Sequence, residues 1–214
     1  MIIWHCSYKI IKNPQYGVGN RNNDYGLGFY CTESKEMAKE WACADKKNGF
    51  ANCYELDTYG LNICDLSKEP YNILNWMALL VKNRVIKYSS SIGKEGAEYL
   101  IKEYLPDISG CDLVIGHRAD DSYFSFARAF LNNTISVAQL SEAMMLGELG
   151  EQVVIKSERA FKRMTFKKYE EAEWGKYFFD RSKRDRKARD DYMRLVDVAD
   201  VDGIFIRDLM RDRK

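Results

Sequence analysis

The chain has 214 residues, 46% of them hydrophobic and 30% charged, which suits one domain, or one domain with an appendage, and excludes a disordered chain. Thirty-three Lys and Arg stand against 32 Asp and Glu, so no overall basic field marks a nucleic-acid binder. The longest purely apolar run, at 76–81, is far short of the roughly 20 residues that cross a bilayer, so no membrane partner is expected.

The chain opens with a predicted strand over residues 1–7. Those residues lack the basic start and apolar stretch of an export signal and carry His5 where that stretch belongs, so a cytoplasmic location is expected. Residues 13–28 read as a loop, punctuated by Asn13-Pro14, Gly17, Gly19, Gly26 and Gly28. A short strand follows at 29–31, and Thr32 offers a cap for a helix reaching about residue 44. Residues 53–59 and 61–66 look like two strands with a tight link at Gly60. Pro70 suits the first turn of a helix over 71–86, where Leu74, Met77, Leu80 and Val81 recur at helical spacing.

A polar helix near 96–105 precedes a compact buried strand at 111–116. Two helices are predicted at 122–131 and 136–145, then a glycine-flanked turn at 147–150 and a strand at 152–156. His117 reads as a loop residue. Residues 157–214 are highly charged, with a basic run at 181–189 that reads as a solvated helix face or a docking surface for nucleic acid or an acidic protein. Residues 170–178 suit a helix packing back on the domain. Strands and helices mix without regular alternation, so the expected class is α+β. The six cysteines form no CxxC pair and only two histidines are available to supplement them. No metal site is expected, and the thiols are expected to stay reduced.

Dinucleotide-loop, phosphate-loop, HExxH and GxSxG patterns are absent. Three segments remain. His5-Cys6-Ser7 ends the first strand. Tyr25-Gly26-Leu27-Gly28-Phe29-Tyr30 leads to a helix carrying Trp41. Glu151-Gln152-Val153-Val154-Ile155 enters the late strand. Alternation along that strand sets Glu151 and Gln152 on opposite faces. Taken singly, each residue has an ordinary reading. His5 suits a strand-end histidine satisfied by backbone, Trp41 a core residue on a stripe with Met37, Gly26 and Gly28 a turn, and Asp120 and Asp121 a helix cap.

In this order, and with the phrase DLVIGHRADD at 112–121, the segments resemble the ADP-ribosyltransferase superfamily, in its diphtheria-toxin and poly(ADP-ribose) polymerase branch. Similar small bacterial proteins have a His-Gly-Ser start, an Asp-Phe-Gly-x-Gly-Phe-Tyr loop and a late Gln. The resemblance covers roughly residues 1–165. It implies a split β-sandwich ADP-ribosyltransferase-like domain with flanking helices over residues 1–165 and a charged, mostly helical extension over 166–214.

The resemblance further implies that NAD is a substrate, losing nicotinamide as ADP-ribose passes to an unknown protein or nucleic-acid acceptor, with a cognate antitoxin as a further partner if the protein is an intracellular bacterial toxin or defence effector. His5 would then bond a ribose hydroxyl. Cys6, where the family has Gly, would grip the nicotinamide carboxamide through its backbone, and Ser7 would add a hydroxyl to it. Gly28 would let backbone approach the cofactor, Tyr30 and Trp41 would sandwich the nicotinamide, and Gln152 would stand where the polymerases have a catalytic glutamate. An amide there orients the sugar but loses a charge-assisted bond, which points to single transfers rather than chain growth. The rival expectations are a non-catalytic NAD-binding module and a nucleic-acid binder using the basic run.

Overall fold

Two sheets rather than one organise the chain, in a computed structural model that describes residues 1–43, 45–119, 121–148 and 150–211. In chain order the elements are β1 (Ile2–Ser7), β2 (Phe29–Cys31), α1 (Lys35–Ala42), β3 (Gly49–Leu56), β4 (Ile63–Asp65), α2 (Ile73–Asn83), α3 (Ser91–Tyr104) and β5 (Leu113–His117). They continue with α4 (Asp121–Leu131), α5 (Val137–Ala143), β6 (Glu151–Ile155), α6 (Glu158–Phe161), β7 (Met164–Ala172), α7 (Trp174–Asp197) and α8 (Ile206–Arg211). The class is α+β, as expected.

The first sheet runs β1-β3-β7, all antiparallel. The second runs β2-β6-β5-β4, with β4 parallel to β5 and the other pairs antiparallel. Among the described residues a single bridge joins them. Trp4 N–H donates to Thr32 O at 2.7 Å, and Thr32 N–H donates back to Trp4 O at 3.0 Å. Beyond Trp4 the two strands part. Thr32 is therefore a hinge between sheets and not the helix cap. Ser34 caps α1, its Oγ accepting from Met37 N–H at 3.3 Å.

Several expectations change. The strand predicted at 53–59 begins earlier, because Gly49 lies under α1, where a Cβ would sit 2.4 Å from Ala42 O. As the central strand of its sheet, β3 buries Ala51, Asn52, Cys53 and Tyr54 on both faces. Its predicted neighbour β4 belongs to the other sheet. Pro70 precedes α2, which starts at Ile73 under an Asn72–Asn75 capping box. His117 ends β5 and is not a loop residue. Cys64 and Cys111 are joined by a disulfide beside the β4–β5 pairing, while Cys6, Cys31, Cys43 and Cys53 are free. Asp120 and Leu149 lie outside the described residues, as does the side chain of Asp121. The cap reading of the two aspartates and the centre of the turn at 147–150 fall there.

The charged extension is knitted into the domain. The boundary expected at 165/166 falls inside β7, which pairs with β3 from Met164–Leu56 to Ala172–Gly49. Residues 170–172 therefore complete a strand, and α7 follows it. Along α7, Tyr177 packs on Ala42 and Cys43, fully buried Ala188 joins the main core, and Arg184 forms an ion pair with Glu40 of α1. Burial lowers the Arg184 pKa to about 10. A chain ended at residue 165 would leave an edge of β3 unpaired and the Glu40 carboxylate without its guanidinium. Circular dichroism melting is expected to give one cooperative transition for the full chain. The shortened chain is expected to show none, or a midpoint roughly 10–20 °C lower, from about 5 kcal/mol lost at roughly 2–4 °C per kcal/mol. An unchanged midpoint would restore the two-part reading.

Candidate functional site

Where β1 and β2 diverge, a cavity of about 270 Å³ opens between the two sheets. Its walls carry His5 and Cys6 from β1, Tyr30 from β2, Trp41 from α1 and Gln152 from β6. Alternation puts these groups there. Trp4 turns its N–H and C=O toward β2, so Cys6, two residues on, turns its own backbone groups the same way, into the gap left by β2. The Cys6 thiol packs among the residues of α1 and α7. Burial pushes that thiol's pKa up, against a smaller opposing pull from Arg118 and Arg181, so it is a packing group and not a thiolate nucleophile.

His5 spans the divergence. Its Nδ1 lies 2.8 Å from Tyr30 O, and its ring stacks on Phe29 with centroids 4.1 Å apart. A carbonyl only accepts, so Nδ1 carries the hydrogen and Nε2 is left as the acceptor. Burial lowers the His5 pKa, with the bond to Tyr30 opposing, which favours this neutral form. Tyr30 is held by its hydroxyl, which donates to Gly26 O at 2.6 Å and accepts from Tyr25 N–H at 3.0 Å. Gly26 sits at φ +73°, a conformation that side chains disfavour. Lys156 Nζ donates to Tyr25 O at 2.6 Å and to Leu27 O at 2.7 Å, pinning the same loop from β6's end.

Trp41 is 8% exposed, and its indole Nε1 is buried with no hydrogen-bond partner among the described residues. Over its ring lies the Arg118 guanidinium, 3.6 Å from the centroid. Gln152 is 4% exposed and faces the cavity, while Glu151 points outward into a separate cavity that also includes His117. The two lie on opposite faces, as strand alternation requires. Gly28 lines an adjoining cavity of about 740 Å³ that shares His5, Asn23 and Tyr30 with the first. A Cβ on Gly28 would meet Val154 Cγ1 at 2.5 Å. Ser7 lines neither cavity, and its Oγ accepts from Lys9 N–H at 3.1 Å.

Sequence reasoning missed the charged half of the site. Arg84 follows α2, Arg118 follows β5 and Arg181 sits on α7, and all three line the 270 Å³ cavity. So does Asp24, the one carboxylate among its described lining residues. The basic run at 181–189 thus divides. Arg181 reaches the cavity, Arg184 holds α1, and Arg189 pairs with Asp185 on the outer surface. The described lining residues thus carry three guanidiniums and one carboxylate, the carboxylate lying 3.4 Å from Arg84 Nε. Among the described residues no three His, Cys, Asp or Glu side chains cluster to hold a metal ion, and no helix is long and apolar enough to cross a membrane.

A family model described as DUF3990, protein of unknown function, matches residues 1–166. The chain belongs to the DUF3990 family. No curated protein and no solved structure matches it. The DUF3990 match takes in β1, β2, α1, β6 and the loop with Asp24, and it stops within β7. Arg181 is therefore the cavity residue that comes from beyond the family's matched region.

Proposed function

We propose that this DUF3990 chain is an NAD-dependent mono-ADP-ribosyltransferase with a split-sheet, ADP-ribosyltransferase-like fold. The observation that carries this reading is the convergence of His5, Tyr30, Trp41 and Gln152, from four separate elements, on one cavity rimmed by arginines. Each group has a task in nicotinamide loss. The outward-turned backbone of Cys6 offers a donor and an acceptor to the carboxamide. Tyr30 and Trp41 supply aromatic faces, each worth about 0.5–1.5 kcal/mol beyond area burial.

The Arg118 guanidinium occupies the face of Trp41 in the free protein. Oxidised NAD carries a pyridinium, a planar cation that replaces it like for like and releases Arg118 toward the pyrophosphate. His5 Nε2 accepts from a ribose hydroxyl. Gln152 takes a hydroxyl of the nicotinamide ribose, holding the sugar as its C1′–N bond breaks, the electron pair leaves with nicotinamide and positive charge develops on the ring. The acceptor then adds at C1′ and gives up its proton. The adjoining cavity along residues 9–23 has room for the rest of a dinucleotide.

The neutral amide of Gln152 also favours a second reading, in which NAD binds without turnover. One experiment separates the two. Pure protein is incubated with labelled NAD and cell lysate, and both label transfer and nicotinamide release are followed. Wild type is expected to label a macromolecule, and Gln152→Ala to label it 10- to 100-fold more slowly, the loss for one transition-state hydrogen bond of about 1.4–2.8 kcal/mol. Thermal stabilisation by NAD with no nicotinamide release would select the binding module. Equal labelling by wild type and Gln152→Ala would refute the assignment.

A further inference from the structure

Asp24 is the cavity's buried carboxylate, 5% exposed, and it is built into place. Its Oδ2 accepts from Ala119 N–H at 2.9 Å and from Gln152 Nε2 at 3.0 Å, and its Oδ1 lies 3.4 Å from Arg84 Nε. Its own carbonyl accepts from Asn83 Nδ2 at 3.2 Å, which ties the loop to the end of α2. A carboxylate only accepts, so the end of the Gln152 amide beside Asp24 is the NH₂. The other end, Oε1, accepts from no described residue and is not a buried orphan, which leaves it open to the cavity that Gln152 lines.

We propose that Asp24 is a positioning residue for the reaction: by accepting the Gln152 Nε2–H bond it fixes the amide with Oε1 turned into the cavity, so that β6 presents an oxygen acceptor to a sugar hydroxyl. This rests on the reading of the cavity as an NAD site. An amide without that partner turns over freely and offers either a donor or an acceptor. Beside a carboxylate it offers the acceptor alone, and the negative charge on Asp24 polarises the amide further toward its oxygen. The pair therefore divides the work of one carboxylate, with the charge on the loop and the contact on the strand.

The test uses the full chain as wild type, Asp24→Asn, Gln152→Glu and the exchange Asp24→Asn/Gln152→Glu. Nicotinamide release gives kcat and KM, calorimetry gives NAD affinity, and the ¹H–¹⁵N signals of the Gln152 side-chain amide report its orientation directly. Asp24→Asn is isosteric and is expected to lower kcat roughly 10- to 100-fold with KM and NAD affinity within about threefold, the pattern of an interaction that matters in the transition state. The exchange variant restores an N–H···carboxylate bond with the partners reversed, and its kcat is expected to recover to at least the wild-type value. In wild type the two Gln152 amide protons are expected to be well resolved and slow to exchange with water, and in Asp24→Asn to exchange at least tenfold faster.

Wild-type kcat in Asp24→Asn would overturn the proposal, as would an exchange variant no better than Asp24→Asn. If wild type binds NAD and releases no nicotinamide, the transferase reading falls. The amide signals then decide the positioning claim alone: loss of protection in Asp24→Asn supports it, and unchanged exchange overturns it.

Discussion

Replacing Tyr30 with alanine is expected to lower kcat/KM for nicotinamide release by roughly two to five orders of magnitude, while Tyr30→Phe lowers it about tenfold. Two losses add in the alanine variant. The ring gives up its burial, about 1.5–3 kcal/mol, and its aromatic contact, about 0.5–1.5 kcal/mol. The hydroxyl gives up the two bonds that hold the loop, to Gly26 O and from Tyr25 N–H. Phenylalanine keeps the wall and loses only the loop bonds, at a cost of about 1–2 kcal/mol, or close to one decade in rate. Steady-state kinetics with NAD distinguish the two variants. Equal rates for wild type and Tyr30→Ala would remove the ring from the site.

Among single substitutions, the largest effect on stability is expected away from the cavity, at Asp112. This carboxylate accepts from Asn62 N–H at 2.7 Å and from Ser157 Oγ at 2.5 Å, and it pairs with Arg159. It thereby ties the loop before β4, the start of β5 and the end of β6 into one unit. Asp112→Ala takes the acceptor from Asn62 N–H and Ser157 Oγ–H and leaves Arg159 with Gly60 O alone, at about 3–5 kcal/mol and a melting point roughly 10 °C lower.

The bond from Arg159, outweighing burial and joined by Ser157 and Asn62, holds the Asp112 carboxyl well below the usual carboxylate range. A depressed folded value means that the stabilisation is complete above the unfolded pKa of about 3.9 and is lost as pH falls below it. The gap in urea midpoint between wild type and Asp112→Ala is therefore expected to be constant from pH 7 to 5 and to narrow toward pH 2. A gap that widens on acidification would contradict this assignment of the charge.

Strand alternation carries much of what could be read from residues alone. It set Gln152 and Glu151 on opposite faces, while the choice of Gln152 as the inward one came with the resemblance, and the short strands at 1–7 and 29–31 stand within a residue or so of β1 and β2. Those strand ends deliver His5, Cys6 and Tyr30 to one place because the two strands bridge once, at Trp4 and Thr32, and then part. The divergence itself leaves no periodic trace. Asp24, Arg84 and Arg118 come from a loop and two element ends, where position is decided by partners distant in sequence, such as the Ala119 N–H that bonds Asp24 across 95 positions.

Arg181 was hidden differently. A run rich in both signs looks like a solvated face, and only the packing of fully buried Ala188 and of Arg184 against the domain turns one of its arginines inward. Within the phrase at 112–121, three described residues have physical work. Asp112 clamps three segments, Gly116 leaves room for the Tyr25 hydroxyl that a Cβ would meet at 2.5 Å, and Ala119 anchors Asp24.

The measurement that bears most directly on the whole account is a crystal structure of the protein with NAD bound. The nicotinamide ring is expected between Tyr30 and Trp41, its carboxamide on the Cys6 backbone, ribose hydroxyls on His5 Nε2 and Gln152 Oε1, and Arg118 moved off the indole. A dinucleotide seated elsewhere, with Arg118 still covering Trp41, would contradict it.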